Sequence, residues 1–281
     1  MTFDLSQLGR TWRTEEFRVN TMRLAQFAAA IDDENPAHRT GIIAPPVFAN
    51  VPPMQPCIEA LRSVTSMFAF HGEHDFHLHH AIRAGMHLFA EAALRGVIAT
   101  RGGVSIIVHS KTHNEQGTLV DEQFFTAFAA GATLAGSVGE TAPKHHSGPD
   151  FSASRPLAAA SYVVAADQTS RYADASRDYA DYTLRLDAAR AKGFEQILLH
   201  GMLTMAFAAR AVVDRVCGGD STRLKRLAGR FSKPAFLVPG QALTTRIWQL
   251  DPRQGREIFG FDTSDAFGSV VIKNGLAEIA A

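Results

Sequence analysis

Near the start of the chain, apolar residues recur with the spacing of a helix. The spacing i, i+3, i+4, i+7, which places side chains on one helical face, is followed by Leu24, Phe27, Ala28 and Ile31. Asn20 stands just before them, and asparagine at that place can accept a hydrogen bond from a free backbone N–H. We therefore predict a short amphipathic helix that begins after Asn20.

Elsewhere the apolar and polar residues alternate, which is typical of strands in an antiparallel sheet with one buried face. The alternating segments are residues 75–97, 102–113 and 118–128 in the first half, and residues 226–236, 241–250 and 267–273 in the second. In each half a helix and a polar loop come before the strands, so the same order of elements occurs twice.

We predict a second helix between the loop and the strands of each half. In the first half it follows Pro45 and Pro46, which are well tolerated in the first turn of a helix. In the second half it covers the apolar residues 197–213, which fall short of the roughly 20 that a membrane span needs. A helix that is apolar on nearly all sides must be wrapped, and a curved antiparallel sheet would do this.

The repeat can be aligned residue by residue. At an offset of 145 the corresponding pairs are Phe27 with Tyr172 and Asp33 with Asp178, and at an offset of 155 they are Pro46 with Gly201 and Gly85 with Gly240. The change of offset indicates that the first copy has ten fewer residues in the loop between the acidic position and the central helix.

Glycine, serine and proline are concentrated in residues 131–156, which we predict to be a linker. The predicted units are then residues 1–130 and residues 157–281. If their sheets join edge to edge, each unit hides the strand that it would otherwise expose. We predict an α+β fold in which two antiparallel sheets, each around a central helix, form a pseudo-dimer.

The composition narrows the classes of partner. Basic and acidic residues number 28 each, so we expect no nucleic-acid partner and no binding to an anionic membrane surface. Because the longest apolar stretch is too short to span a membrane, we also expect no membrane insertion. Only two cysteines occur, Cys57 and Cys217, which favours a reducing compartment over a disulfide framework. The N-terminus resembles no signal or transit peptide, so we expect a cytoplasmic location.

Residues 33–38 read Asp-Glu-Asn-Pro-Ala-His and match the D-x-N-P-x-H signature of MaoC-like enzymes. This resemblance to the family of R-specific enoyl-CoA hydratases and type II fatty acid synthase dehydratases implies a double hotdog fold. It also implies reversible conversion of (R)-3-hydroxyacyl thioesters to trans-2-enoyl thioesters and water. The substrate would be carried on the pantetheine of coenzyme A or acyl carrier protein, with no metal or redox cofactor.

In the second half, residues 193–212 look like the family segment where the loop enters the central helix, with His200-Gly201 as the characteristic pair. The reaction needs a base at C2, an acid at the departing hydroxyl and a donor to the thioester oxygen. The resemblance assigns the proton transfers to Asp33 and His38, and the donor to the backbone N–H of a glycine such as Gly201.

Neither copy is complete. The second half has Asp178, but Thr183 replaces the histidine and cannot act as a general base. The first half has Pro46 at the glycine position, and proline has no N–H to donate.

Two assignments stay open. In the first, Asp33 and His38 work with another donor such as the N–H of Val47. In the second, Asp178 and Gly201 form the centre with His200. We favour the first because proton transfer needs specific side chains. Residues 44–48 favour the second, because in the resembling family this segment often marks the half that holds the acyl tail.

Each candidate also has a structural interpretation: Asp33, His38 and Asp178 as turn residues, His200 as a core histidine, and Gly201 as a site of close helix packing. A histidine cluster is formed by His71, His74, His77, His79 and His80, but no neighbouring cysteine or carboxylate set completes a metal shell. We predict no metal site and, without a dinucleotide fingerprint, no nicotinamide cofactor.

Two other functions fit the same fold. Because the motifs of both copies are incomplete, the chain could be a non-catalytic acyl-thioester-binding partner of a separate dehydratase. A hotdog thioesterase would share the fold and hydrolyse the thioester instead. Family members often associate, so a homodimer is one expected state, and acyl carrier protein is one expected partner.

Overall fold

The computed structural model describes residues 3–145 and 151–280. Within them one antiparallel sheet of twelve strands extends through both halves. The strands are β1 Thr11–Arg13, β2 Phe17–Arg18, β3 Phe70–Leu78, β4 His87–Thr100, β5 Gly103–Asn114, β6 Leu119–Ala130, β7 Val138–Gly139, β8 Ala158–Val163, β9 Leu224–Phe231, β10 Ala242–Arg253, β11 Arg256–Ser264 and β12 Val270–Ala280. The α-helices are α1 Thr21–Ala30, α2 Pro36–Arg39, α3 Met54–Val64, α4 Gln168–Ser176, α5 Leu186–Ala191 and α6 Gly201–Val216.

The strand order is β1-β4-β5-β6-β3 in the first half and β9-β12-β11-β10-β8 in the second, with β2 and β7 also paired to β4. The two halves meet where β3 pairs with β9, from Glu73 opposite Arg230 to His77 opposite Arg226. Each half therefore satisfies the backbone groups of one exposed edge of the other. This confirms the predicted α+β double hotdog with its sheets joined edge to edge.

Helix α1 forms as its sequence predicts. The side chain of Asn20 accepts a hydrogen bond of 2.8 Å from the backbone N–H of Arg23, and the apolar face is buried. Its counterpart α4 packs against it, with the rings of Phe27 and Tyr172 5.7 Å apart. Residues related by the internal repeat are thus direct neighbours in the core.

The central helix of the second half is confirmed as α6, whose residues are buried along most of its length. The first half differs from the prediction. A short 3₁₀ turn, Pro46–Asn50, follows Pro45, and the α-helix begins only at Met54. Pro52 and Pro53 separate the two pieces, because a proline removes a backbone donor and restrains the residue before it.

The sequence pattern did not reveal β11, which lies between two predicted strands. Between β6 and β8, strand β7 pairs with β4, so part of the predicted linker is built into the sheet of the first half. Residues 146–150 of that linker lie outside the described residues, as do residues 1–2 and 281. The division at residues 130 and 157 stays a prediction.

In the part of the chain that the structure describes, no helix is long and apolar enough to cross a membrane.

Candidate active site

Residues 33–38 form a compact turn in which Asp33, Asn35 and His38 each make a different hydrogen bond. Asp33 accepts a hydrogen bond from the backbone N–H of Asn35 through Oδ1. Asn35 in turn accepts from the N–H of Ala37 and caps α2, which begins at Pro36. The single turn of α2 brings His38 back towards Asp33.

Asp33 and His38 form a buried pair. Oδ2 of Asp33 lies 2.6 Å from Nδ1 of His38, and the two side chains are 4% and 1% exposed. A carboxylate oxygen accepts hydrogen bonds, so Nδ1–H of His38 donates to Asp33, and Nε2 is left for a second partner. The structure thus brings together the two residues that the motif predicts.

Nε2 of His38 reaches the second half of the chain, where it lies 2.8 Å from Oγ of Ser221. The loop is also tied there by Asn35, whose Nδ2 donates to the backbone oxygen of Gly219 at 2.7 Å. Ser221 was missed by the sequence analysis, since it lies 183 residues from His38 and belongs to no recognisable motif.

The crevice beside the Asp33–His38 pair is narrow. Its walls come from both halves, and the crevice is too narrow to admit a water molecule. The walls of the crevice are formed by Ile31, Pro45, Pro46 and Val47 of the first half, with Ala206, Ala209, Arg210, Val213 and Asp214 of the second. Val47 is in the first turn of its 3₁₀ segment, so no preceding carbonyl of that turn can accept from its N–H.

The second set of candidates lies at the start of α6, on a cavity of about 680 Å³. Asp178, Thr183, His200 and Gly201 all line this cavity. Nε2 of His200 lies 2.8 Å from Oγ1 of Thr183 and 3.0 Å from the backbone oxygen of Asp178. The Asp178 carboxylate instead accepts from the backbone N–H of Ala180, so no carboxylate–imidazole pair forms here.

Comparison with known families agrees with this geometry. Residues 141–266 match the sequence model of the MaoC like domain, and residues 6–123 match that of the FAS1-like dehydratase domain region. The second half therefore contains a MaoC-like domain, and the first half contains a FAS1-like dehydratase region. The two matches lie in different halves of the chain, which agrees with the internal repeat.

Among the relatives of this MaoC-like chain is 3-hydroxyacyl-thioester dehydratase Y of Mycobacterium tuberculosis, 30% identical over 170 residues, or 59% of this chain and 56% of that protein. Another is peroxisomal multifunctional enzyme type 2 of Mus musculus, 27% identical over 75% of this chain. The match spans only 28% of that enzyme. The chain thus matches well under two thirds of either relative.

The fold of a MaoC-like dehydratase from Phytophthora capsici is similar over almost the whole chain. The TM-score is 0.82 at 21% sequence identity, and the match covers 98% of this chain and 97% of the other. This likeness supports the double hotdog fold of the MaoC-like chain.

In this MaoC-like protein the two candidate sites are separate places along one helix. Gly201 at the start of α6 lines the cavity, and Arg210 lines the crevice. Nine residues of helix correspond to about 13 Å at the usual rise per residue. The two predicted assignments therefore correspond to two separate sites in the structure.

A second, smaller cavity of about 30 Å³ lies on the other side of Pro45 and Pro46 and has room for about one water molecule. Ser221 and Asp121 both line it. Burial raises the pKa of Asp121 to about 7, even though hydrogen bonds from Gln123 and Thr112 act in the opposite direction. Oδ2 of Asp121 has no hydrogen-bond partner among the described residues.

The histidines of β3 fall into two groups. His71 and His74 point to the interior, while His77 lies 3.3 Å from Asp75 at the junction of the halves. Within residues 3–145 and 151–280, no three histidine, cysteine or acidic side chains are grouped so that they could hold a metal ion.

Proposed function

We propose that this chain catalyses the reversible dehydration of (R)-3-hydroxyacyl thioesters to trans-2-enoyl thioesters. The observation that supports this most directly is the buried hydrogen bond between Asp33 and His38, at the junction of the two halves. The names of the relatives support the same chemistry, since they include a 3-hydroxyacyl-thioester dehydratase and a probable enoyl-CoA hydratase 2.

His38 is the proposed proton carrier. Nε2 takes the proton from C2 of the bound thioester, while Asp33 holds Nδ1–H and stabilises the charged imidazolium. The same proton then passes to the hydroxyl that leaves C3, so that one water molecule is released and no further reactant is consumed. In the hydration direction the steps are reversed.

The negative charge that develops on the thioester oxygen needs a donor. The proposed donor is the backbone N–H of Val47, because Val47 lines the same crevice as the pair and Pro46 has no N–H. Substrate entry then requires the walls of the crevice to separate, most simply between the segment Pro45–Val47 and helix α6.

The remaining assignments are proposals of the same kind. Both proton transfers are assigned to Asp33 and His38, so the mechanism needs no metal or redox cofactor. The acyl group is carried by coenzyme A or acyl carrier protein. The buried free thiols of Cys57 and Cys217 support a reducing compartment, for which we propose the cytoplasm.

Incubation of the purified chain with crotonyl-CoA tests the function. Loss of the enoyl absorbance without release of free thiol supports hydration, whereas thiol release indicates a thioesterase. If crotonyl-CoA and longer enoyl-CoA thioesters all remain unchanged, a non-catalytic binding partner is the better description.

Three variants then locate the centre. We expect Asp33→Asn and His38→Ala to lower kcat by about 10²- to 10⁴-fold, as removal of a proton-transfer group does. Asp178→Asn should stay within severalfold of the unmodified chain. Full activity of the first two variants with loss in Asp178→Asn would move the reaction to the second half.

A further inference from the structure

A chain of buried polar side chains runs from the cavity of about 680 Å³ into the first half. His71 lines the cavity, and its Nε2 lies 3.0 Å from Nδ1 of His74. Nε2 of His74 is 3.0 Å from Oε1 of Gln123, whose Nε2 lies 2.6 Å from Asp121. None of these contacts involves the Asp33–His38 pair.

Gln123 sets the direction of the hydrogen bonds in this chain. Its side-chain amide faces the backbone oxygen of Ala49 at 2.7 Å, and a carbonyl oxygen only accepts, so the atom there must be the nitrogen. The amide oxygen therefore faces His74 and must accept from the Nε2–H of that ring.

The ring nitrogen that carries the proton in His74 determines which ring nitrogen carries it in His71. Burial lowers the pKa of His74 to about 4, so at neutral pH the ring has one proton, on Nε2, and a bare Nδ1. Nε2 of His71 must then donate to that Nδ1. Burial lowers the pKa of His71 well below its usual value, which leaves Nδ1 of His71 as a bare acceptor.

The ring of His71 is held firmly in this orientation. It packs edge-on against Phe125 and Phe231, with ring centroids 4.5 and 4.7 Å away. The Cβ atom of His71 lies beside the start of α6, since a Cβ atom built on Gly201 would be 3.4 Å from it.

The cavity has further features of a ligand site. Nδ1 of His200 and Oγ1 of Thr126 are buried without a hydrogen-bond partner among the described residues, and both residues line the cavity. Its apolar walls include Phe70, Phe128, Met202, Phe231 and Val271, and its basic side chains are Arg101, Arg230 and Lys233. Apolar walls suit an acyl chain, and Arg101 and Lys233 suit the phosphates of its carrier. Arg230 lies 3.7 Å from Glu73, which also lines the cavity.

We propose that this cavity is a second thioester-binding site that selects acyl groups bearing a 3-hydroxyl, with Nδ1 of His71 accepting from that hydroxyl. A bare imidazole nitrogen stabilises a ligand that can donate and gains nothing from a saturated acyl chain. The inference rests on the proposed function, because it takes 3-hydroxyacyl thioesters as the chemistry of this chain.

A pair of unreactive probes tests the selection. 3-Hydroxy-2,2-dimethylbutyryl-CoA and 2,2-dimethylbutyryl-CoA differ only in the hydroxyl, and neither has a C2 hydrogen to lose. By titration calorimetry we expect about fivefold tighter binding of the hydroxylated probe, as one neutral hydrogen bond provides. His71→Phe should reduce this ratio to about one, while His79→Phe, outside the cavity lining, should leave it unchanged.

A second measurement needs no variant. In ¹⁵N-histidine spectra of the unmodified chain at pH 7, Nδ1 of His71 should appear unprotonated and shift when the hydroxylated probe is added. A protonated Nδ1, an unchanged ratio in His71→Phe, or no binding of either probe overturns the inference. The proposed function fails separately, if crotonyl-CoA hydration is absent or does not depend on Asp33 and His38.

Discussion

The guanidinium of Arg226 on β9 holds the carboxylate of Asp75 on β3 through two hydrogen bonds, of 2.9 and 2.7 Å. This pair lies across the junction of the two halves and is almost fully buried. Arg226 also reaches Glu278 on β12 at 3.2 Å. Burial works against ionisation of Asp75, but its contacts with His77 and Arg226 outweigh this and lower its pKa to about 2.

Arg226→Ala should destabilise the chain strongly, because it leaves the buried Asp75 carboxylate with His77 but without the guanidinium that holds both of its oxygens. We expect a loss of about 3–5 kcal/mol in the free energy of unfolding, measured by urea denaturation at pH 7. The control is Arg13→Ala, which removes an exposed ion pair with Glu91 and should cost less than about 1 kcal/mol. Equal losses in the two variants would contradict the role of the junction pair.

Asp121 should make the stability of the chain depend on pH. Its pKa is raised to about 7 in the folded state, so the neutral form is favoured there and stability is lost as the pH rises from about 4 to 7. Asp121→Asn cannot ionise. Relative to this variant, the unmodified chain should lose up to about 4 kcal/mol between pH 4 and pH 8.

The measurement is a series of urea unfolding curves for both proteins at several pH values. Only the change of their difference with pH is used, since the amide itself alters the hydrogen bonds to Gln123 and Thr112. If the difference in unfolding free energy stays constant from pH 4 to pH 8, the pKa of Asp121 is not raised in the folded state.

Gly41 closes the loop that carries His38 and tolerates no side chain. It has a φ of +68°, and a Cβ atom there would lie 2.1 Å from the backbone oxygen of Thr21. Gly117 has a similar φ of +77° but open space around it. Gly41→Ala should therefore be less stable than Gly117→Ala by about 1–3 kcal/mol, the usual effect of overpacking.

Thermal unfolding of the two alanine variants checks this, and hydration of crotonyl-CoA at low temperature adds a second readout. We expect Gly41→Ala to lose activity because the turn around His38 is displaced. Gly117→Ala, in a distant hairpin between β5 and β6, should retain it.

Asn35 has two tasks that can be separated by substitution. Asn35→Asp keeps an oxygen to cap α2 but loses the donor to the backbone oxygen of Gly219, whereas Asn35→Ala loses both. We expect Asn35→Ala to be less stable than Asn35→Asp by about 1 kcal/mol, the usual contribution of a helix cap. If the hydrogen bond from Asn35 to Gly219 holds His38 beside Ser221, kcat should fall severalfold in both variants. A normal kcat in Asn35→Asp would mean that this hydrogen bond has no part in catalysis.

The elements that the sequence alone determined depend on contacts between near neighbours in the chain. Helix α1 follows from one apolar stripe and one capping residue, Asn20. The Asp33–His38 pair was predictable because six consecutive residues, with Pro36 starting a single helical turn, are enough to bring the two side chains together. The internal repeat also predicted the pseudo-dimer, since a copied pattern implies a copied fold.

The tertiary structure decided everything that requires both halves. Ser221 meets His38 across 183 residues of chain, and the tautomer of His71 depends on Gln123, two side chains away. Whether space remains beside a motif depends on how α6 and the sheets pack, which no local pattern contains. That is why the Asp33–His38 pair lies beside a narrow crevice, while the second-half candidates line the cavity of about 680 Å³.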